Sequence, residues 1–336
     1  MPAPVPPSGR ALLVLGGAGF LGSAICRRFL EDGWRVTACD GLMPRTESAL
    51  VGFARLPEEA AKVERRIVQA ADLADLLAER PVVVDAMGWT SHWGGLKFPH
   101  EDLSLNLIPH IALAEAVAEA PPPLLIYLGS RHQYGRLEAD GCDETAPLLP
   151  IDVQGIHKTA AERHLALAGQ RHGFPVASLR FGNSFGPGMP MRIEDVGLIG
   201  TFLRDAMADR PVEVLGTHRR RTVHYAPDLA AAVLALTAGA LTGGGLPAGF
   251  TPLNLPGESV AIHDLAEAIC RAVGRGRVEL APLAPEVAAI DVGDRDLDTG
   301  RFAALCGPLP LTPLARALAE TWAEIARRPG LAGGLA

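Results

Sequence analysis

The chain has 336 residues, 48% of them apolar and 21% charged, with a formal net charge of −7 at pH 7. That is enough chain for one large domain or two smaller ones, each with a substantial core. An acidic balance without a long basic run excludes a nucleic-acid partner, and no apolar stretch is long enough to span a bilayer.

The opening MPAPVPPSGR reads as a disordered lead-in over residues 1–10. Ala11 to Leu15 is a short apolar run with the look of a buried strand, and it ends directly in glycines. Gly16, Gly17, Gly19 and Gly22 give G-x-G-x-x-G inside a longer glycine run, followed by Phe20, Leu21, Ala24, Ile25 and Phe29 at helical spacing. Strand, tight turn and helix start form the context in which such glycines cradle a pyrophosphate at the positive end of a helix. Trp34 to Cys39 predicts a second strand ending in Asp40. A carboxylate about 20 residues past the glycines accepts hydrogen bonds from ribose hydroxyls and repels a 2′-phosphate. NAD is therefore expected rather than NADP, although Arg45 lies close enough to blur the preference.

Further along, Val63–Gln69 predicts a third strand and Ala70–Glu79 a helix. Pro81–Asp85 and Leu124–Leu128 read as buried strands, with a single helix over Leu103–Glu119 between them. A helix over Lys158–Gln170 and a strand over Val176–Arg180 close the series. This alternation implies an α/β fold, a Rossmann-type doubly wound parallel sheet. Beyond Gly186 the pattern is less regular and richer in Pro and Gly, as in a smaller C-terminal substrate-binding lobe. The expected division is 11–185 plus about 219–240 for the nucleotide domain, with about 186–218 and 241–330 for the lobe. The basic run His218–Arg221 reads either as a solvated turn or as a phosphate contact. Cys26, Cys39, Cys142, Cys270 and Cys306 show no pairing or metal-ligand spacing, which fits a reducing cytoplasm and predicts no metal.

The ordered motifs resemble the extended short-chain dehydrogenase/reductases, the NAD-dependent epimerase/dehydratase family, over nearly the whole chain. GGAGFLG is similar to that family's nucleotide fingerprint, and Asp72-Leu73 to its adenine-contacting pair. Asn106 resembles an asparagine that shapes the active-site backbone. IYLGSRHQYG resembles the loop of the catalytic Ser or Thr, here Ser130, and HKTAAERHL the helix of the catalytic lysine, here Lys158. LRFGNSFGPG places Asn183 to meet a substrate diphosphate, and RTVHYAPDLAAAVLAL places Arg221 near a phosphate. The resemblance implies a nucleotide-sugar substrate and a homodimer built on the Asn106–Glu119 and Lys158–Gln170 helices.

One position departs from the pattern. The family's helix carries Tyr four residues before the lysine, where this chain has Gln154. A phenol near a lysine and the cofactor's positive charge can exchange a proton with substrate, whereas an amide orients or polarises but does not titrate near neutral pH. The proton then falls to His132, His157 or His92, since histidine titrates near neutrality, to the substrate itself, or to Lys158 with water. His132, two residues after Ser130, is the first candidate; His92 lies in a loop bordering the expected sugar pocket, and His157 is rotated by about 100° from Lys158. Dehydratases of this family are similar in having an Asp-Glu pair after the Ser/Thr; Arg131 and His132 stand there, which argues against a 4,6-dehydratase and leaves Arg131 either as an anion contact or as a solvated side chain. Three functions stay open: nucleotide-sugar epimerisation through a keto sugar, an atypical NAD(P)H-dependent ketoreductase or dehydrogenase of another small molecule, and a silent NAD-binding protein.

Overall fold

Seven short strands pair in parallel as one sheet, in the spatial order Gly249–Asn254, Pro175–Arg180, Leu125–Leu128, Val82–Asp85, Ala11–Leu15, Arg35–Asp40, Ala61–Glu64. The structure, a computed structural model, describes residues 10–328 apart from 217–218, 243–244 and 294. The expected lead-in, except for Arg10, thus lies outside the described residues, as does His218 of the basic run. In chain order the strands are β1 (Ala11–Leu15), β2 (Arg35–Asp40), β3 (Ala61–Glu64), β4 (Val82–Asp85), β5 (Leu125–Leu128) and β6 (Pro175–Arg180). They continue with β7 (Asn183–Phe185), β8 (Pro211–Leu215), β9 (Arg220–Tyr225), β10 (Gly249–Asn254), β11 (Glu258–Ala261) and β12 (Arg277–Ala281).

The sheet buries both faces. Alternate residues of β1 serve opposite sides: Leu12 and Val14 pack with Ile25, Phe29 and Val233, while Leu13 and Leu15 pack with Leu113, Val117 and Leu165. Each such side chain taken fully out of water contributes roughly 1.5–3 kcal/mol. Helices Phe20–Glu31 and Ala226–Leu241 cover the first face, and helices Ile108–Glu119 and Val153–His172 the second. The strand order reverses between β1 and β4, which opens a crevice at their carboxyl ends. A second core, built from Phe202, Leu203, Val212, Val214, Leu265, Ile269, Leu318 and Ile325, holds the smaller lobe together around the parallel pair β8–β12.

Several local expectations shift. The single helix over Leu103–Glu119 is two, Pro99–Asn106 and Ile108–Glu119, because Pro109 in the first turn of the latter has no N–H and its ring excludes a continuous helix. The third strand begins earlier than the expected Val63–Gln69. The Arg65 N–H donates to the Asp40 carbonyl at 2.9 Å, after which the chain leaves the sheet and turns Ile67 into the core. The helix expected over Ala70–Glu79 is a 3-10 turn, Ala70–Leu73, and a single α turn, Ala74–Leu77. The expected division also moves: β7 and β9, expected in the nucleotide domain, pair with each other and pack Phe185, Val223 and Tyr225 into the smaller lobe's core, and the boundary at about residue 241 shifts as well. β10 completes the nucleotide-domain sheet beside β6, and Phe302 packs into the same core, since the β6 edge leaves backbone groups and apolar surface that only a further strand satisfies.

Candidate active site

The crevice is a cavity of about 700 Å³, running from the glycine turn past the ends of β4 and β5 into the smaller lobe. Gly16 and Gly22 explain why its floor needs glycine. Gly16 has φ +75°, and a Cβ there would lie 2.6 Å from the Ala86 carbonyl oxygen; at Gly22 it would lie 2.2 Å from the Gly16 oxygen. Both collisions are with backbone, which cannot yield as a flexible side chain would. Gly19 caps helix Phe20–Glu31 with no side-chain hydrogen bond, so that end is left open with no acidic residue in its first turn. Gly16, Gly19, Phe20, Leu21 and Gly22 all line the cavity.

Asp40 lines it too. Its Oδ2 accepts from the Ala18 N–H at 3.1 Å and its Oδ1 from the Leu42 N–H at 2.8 Å. Burial pushes this carboxyl up, against the opposing hydrogen bonds from Leu42 and Ala18. Arg45 is engaged by Glu101 and stacks 4.0 Å from the Phe98 ring centroid. The naked helix start, the glycine cradle and the carboxylate at the end of β2 fit a dinucleotide. Asp72 and Leu73 do not reach the cavity. Asp72 Oδ2 accepts from the Val68 and Gln69 N–H groups and closes its own turn, and Leu73 is fully buried in the core. Arg65, Arg66 and Ile67 line that end in their place.

At the centre, Lys158 on helix Val153–His172 donates its Nζ to the Leu128 carbonyl at 2.9 Å, 5.0 Å from the Tyr127 ring centroid. Burial pushes its ammonium down to about 8, with Asp85 and Asp102 pulling the other way. Beneath it, burial pushes the wholly enclosed Asp85 carboxyl up to about 7, opposed by Lys158, and His110 Nε2 lies 3.4 Å from Asp85 Oδ2. Asn106 shapes the adjacent backbone as the resemblance implied: its amide clasps Trp89, accepting from the N–H at 2.8 Å and donating to the carbonyl at 2.9 Å. Gln154 donates its Nε2 to the same Trp89 carbonyl at 2.7 Å, so its amide nitrogen holds the wall.

The chain's tyrosines are all occupied elsewhere. Tyr127 is fully buried with its hydroxyl donating to the Lys158 carbonyl, Tyr134 donates to Asn254, and Tyr225 donates to Glu320. No tyrosine lines the cavity among the described residues. Imidazoles stand there in its place. His132 follows Ser130 in a 3-10 turn whose first N–H groups Ser130 caps, Ser130 Oγ accepting from the His132 N–H at 3.1 Å. His132 Nδ1 lies 2.6 Å from Asp152 Oδ2, and His92 Nδ1 lies 3.1 Å from that same oxygen, with the two rings stacked 3.7 Å apart. Burial, then the neighbouring His92, pushes His132 down to about 4 despite Asp152. The two imidazoles outweigh burial at Asp152 and hold its carboxyl far below the usual range. An ionised carboxylate only accepts, so the proton of neutral His132 sits on Nδ1 and its Nε2 carries a free lone pair. Asp152 Oδ1 meanwhile accepts from the Gly155 N–H at 2.6 Å, capping the lysine helix.

Sequence spacing predicted no metal site, yet His92, His132 and Asp152 present donor atoms within 4.8 Å of one another. Their short contacts are with each other, which is how a shared-proton cluster satisfies itself. His157, by contrast, hydrogen-bonds Asp102 at 2.6 Å and does not line the cavity. Arg131 lines the cavity and is buried, donating to the Val292 and Arg295 carbonyls at 3.2 and 2.8 Å. Asn183 and Arg221 line the cavity in the smaller lobe, and Arg221 is joined there to Asp291.

Sequence reasoning passed over the scaffold of the Ser130 loop. Gln133 Oε1 accepts from the Ser130 N–H at 2.7 Å, and Gln133 Nε2 donates to Glu162 at 2.9 Å. Glu162 also receives Arg180 through Nε and Nη2, at 3.0 and 2.6 Å, and the Ser178 hydroxyl at 2.6 Å, all out of solvent. A charged pair on predicted buried elements, Glu162 on the lysine helix and Arg180 ending β6, was the available signal.

Two buried histidines and one half-buried one make the fold acid-sensitive. Burial is the main cause that pushes His110 down to about 3 and His132 and His224 to about 4, below the ordinary 6.5. At these three groups the unfolded chain binds more protons between those values, and together they outweigh the opposite effect of the raised Asp85 carboxyl, so stability is greatest above about pH 6.5 and is lost as pH falls toward about 4. The urea midpoint is expected to be lower at pH 5.0 than at pH 7.5; equal midpoints would refute this.

A parallel sheet with a glycine cradle, an open helix start and a terminal carboxylate defines a Rossmann-type dinucleotide-binding protein. The particular family follows from comparison: residues 12–244 match the NAD dependent epimerase/dehydratase family, and the chain belongs to this family of NAD-dependent enzymes. It is 28% identical over 317 residues to a UDP-glucose 4-epimerase of Mycolicibacterium smegmatis, covering 92% of this chain and 96% of that protein. The fold is similar to that of a Thermotoga maritima UDP-glucose 4-epimerase solved with UDP-glucose, at a TM-score of 0.79, 22% identity and coverage of 94% and 98%. It is also similar to a Bacillus cereus UDP-glucuronic acid 4-epimerase solved with NAD, at 0.78, 19% identity and coverage of 94% and 96%. No helix among the described residues is long and apolar enough to cross a membrane.

Proposed function

We propose that the protein epimerises a nucleotide sugar through a transient keto sugar, with His132 as the proton carrier. The observation that carries this reading is the His132–Asp152 pair beside Ser130, in the one cavity that also holds Lys158 and the glycine cradle. Gly16, Gly19, Phe20, Leu21, Gly22 and Asp40 would hold the dinucleotide, and bound NAD would supply reversible hydride acceptance from a carbinol carbon. Ser130 hydrogen-bonds the reacting oxygen. His132 Nε2 is placed to take the proton of the reacting hydroxyl and to return it to the same oxygen. The imidazolium formed in between is compensated by the ionised Asp152, while stacked His92 keeps the resting ring neutral. Lys158 holds the ribose beside the reacting carbon and supplies positive charge there. Gln154 orients the pocket through the Trp89 carbonyl. Asn183 and the lobe arginines face the nucleotide end.

The apolar surface of the paired helices supports a homodimer: Ile108, Ile156 and Leu167 are exposed on them. Light scattering is expected to give twice the chain mass. The function is tested by incubating the protein with NAD and a panel of nucleotide sugars, UDP-glucose included, and reading products by chromatography with mass spectrometry. Interconversion of epimers that vanishes in Lys158→Met supports the reading. No conversion by a protein shown to bind NAD overturns it.

A further inference from the structure

Behind Lys158, on the side away from the cavity, β4 ends in an enclosed carboxylate. Asp85 pairs in register with Tyr127 of β5, so both side chains leave the sheet on one face, where helices Ile108–Glu119 and Val153–His172 pack. Both are 0% exposed, and neither lines the cavity. Lys158 Nζ closes on the same place. It lies 5.0 Å from the Tyr127 ring centroid and 2.9 Å from the Leu128 carbonyl oxygen, and a Cβ at Gly88, just past Asp85, would lie 3.3 Å from it. Asp85 Oδ1 accepts from the Met87 N–H at 3.1 Å. Asp85 Oδ2 has no hydrogen-bond partner among the described residues, nor has either nitrogen of His110, whose Nε2 lies 3.4 Å away.

A carboxylate so enclosed is costly unless a cation stands near it. His110 is not that cation, because burial pushes it down to about 3 and leaves it neutral. The other titratable groups packed around the lysine helix are engaged or neutral. Asp102 is hydrogen-bonded to His157, Glu162 holds Arg180, His92 and His132 close on Asp152, and burial pushes the Tyr127 hydroxyl well above its ordinary range. Lys158 opposes the burial of Asp85, and Asp85 is the stronger of the two carboxylates that oppose the burial of Lys158. Gln154, one turn before the lysine, is an amide and cannot ionise beside it.

We propose that Asp85 is the counter-ion of Lys158, a positioning residue that keeps the ammonium charged and held against the end of β5, where it serves the cavity. The pairing lies behind the cavity and is independent of the substrate, whereas its effect on turnover rests on the epimerase reading. Its consequence has a definite sign. Burial already brings the ammonium down to about 8. Without the carboxylate the lysine gives up its proton at still lower pH, so its charge is lost across the neutral range.

The test is an NMR titration of the full-length protein, free of NAD and isotopically labelled at the lysine Cε. Lys62, Lys97 and Lys158 are the chain's only lysines and the first two are exposed, so the Lys158 signal is the buried one that vanishes in Lys158→Met. Asp85→Asn is expected to lower the Lys158 midpoint by about one to three pH units, to leave Lys62 and Lys97 in place, and to carry the alkaline limb of kcat/KM to lower pH. A reciprocal measurement leaves Asp85 intact: in Lys158→Met, the infrared band of a protonated carboxyl is expected to persist to higher pH than in the unaltered chain. Retained NAD binding shows that each variant is folded. An unchanged Lys158 midpoint in folded Asp85→Asn overturns the proposal; should that variant not fold, an unchanged carboxyl band in Lys158→Met does so. A lowered midpoint in a protein whose unaltered chain converts no nucleotide sugar leaves the counter-ion in place and removes the epimerase reading instead.

Discussion

Replacing His132 by glutamine is expected to lower turnover by about 10²- to 10⁴-fold, the usual contribution of a positioned general acid–base, with NAD affinity unchanged. Glutamine keeps a side chain of similar reach in the turn but cannot accept the hydroxyl proton. The cofactor end is untouched, because the glycine cradle and Asp40 belong to β1, β2 and the helix between them. Asp152→Asn acts through His132 and has a different signature. An amide beside Nδ1 no longer compensates the imidazolium, so kcat falls with little change in KM. The pH profile separates this role from a structural one. With His132 pushed down to about 4, the acid limb of kcat/KM lies well below the ordinary imidazole range. An acid limb near about 6.5, or turnover in His132→Gln equal to that of the unaltered chain, would remove His132 from the chemistry.

Glu162→Ala is expected to cost about 3–5 kcal/mol of stability, the usual penalty for stripping the partner from a buried ion pair. Glu162 and Arg180 are 0% and 2% exposed at their side chains, so the guanidinium has no water to turn to when its carboxylate is removed. The loss spreads because one carboxylate serves Arg180, Ser178 and Gln133 at once. Gln133 in turn fixes the Ser130 N–H, so the catalytic loop loosens along with the fold. Urea unfolding gives the magnitude. Glu162→Ala combined with Arg180→Met is expected to cost much less than the two single changes added, since the double change removes the uncompensated charge. A single-variant cost below about 1 kcal/mol, the range of exposed pairs, would mean that the network is not what holds the loop.

Much of the nucleotide half was legible because its determinants are local. Gly16 to Gly22 and Asp40 are set by strand, turn and helix spacing, and the parallel character of the sheet follows from β-α alternation. Ser130 and Lys158 were also found, each on its own short motif. Boundaries were lost where one residue's backbone chemistry overrode periodicity, as Pro109 did in splitting the helix expected over Leu103–Glu119. Asp72 was misplaced because its motif shows the residue but not its orientation, and its carboxylate is spent on the Val68 and Gln69 amides.

The sequence by itself determined a Rossmann-type sheet, a dinucleotide cradle, and a catalytic helix with glutamine four residues before its lysine. These show in local signals, apolar runs, glycine spacing and a short helical motif, which the sequence displays directly. Only the tertiary structure brought two imidazoles and a carboxylate together beside Ser130 in the cavity. His92, His132 and Asp152 come from the ends of β4 and β5 and the start of a helix, and no spacing rule links them until the parallel strands set those ends side by side. The same holds for Asp291, 70 residues from the Arg221 it binds. A charge's partner, and hence its chemistry, is fixed by which surfaces the core packing brings together.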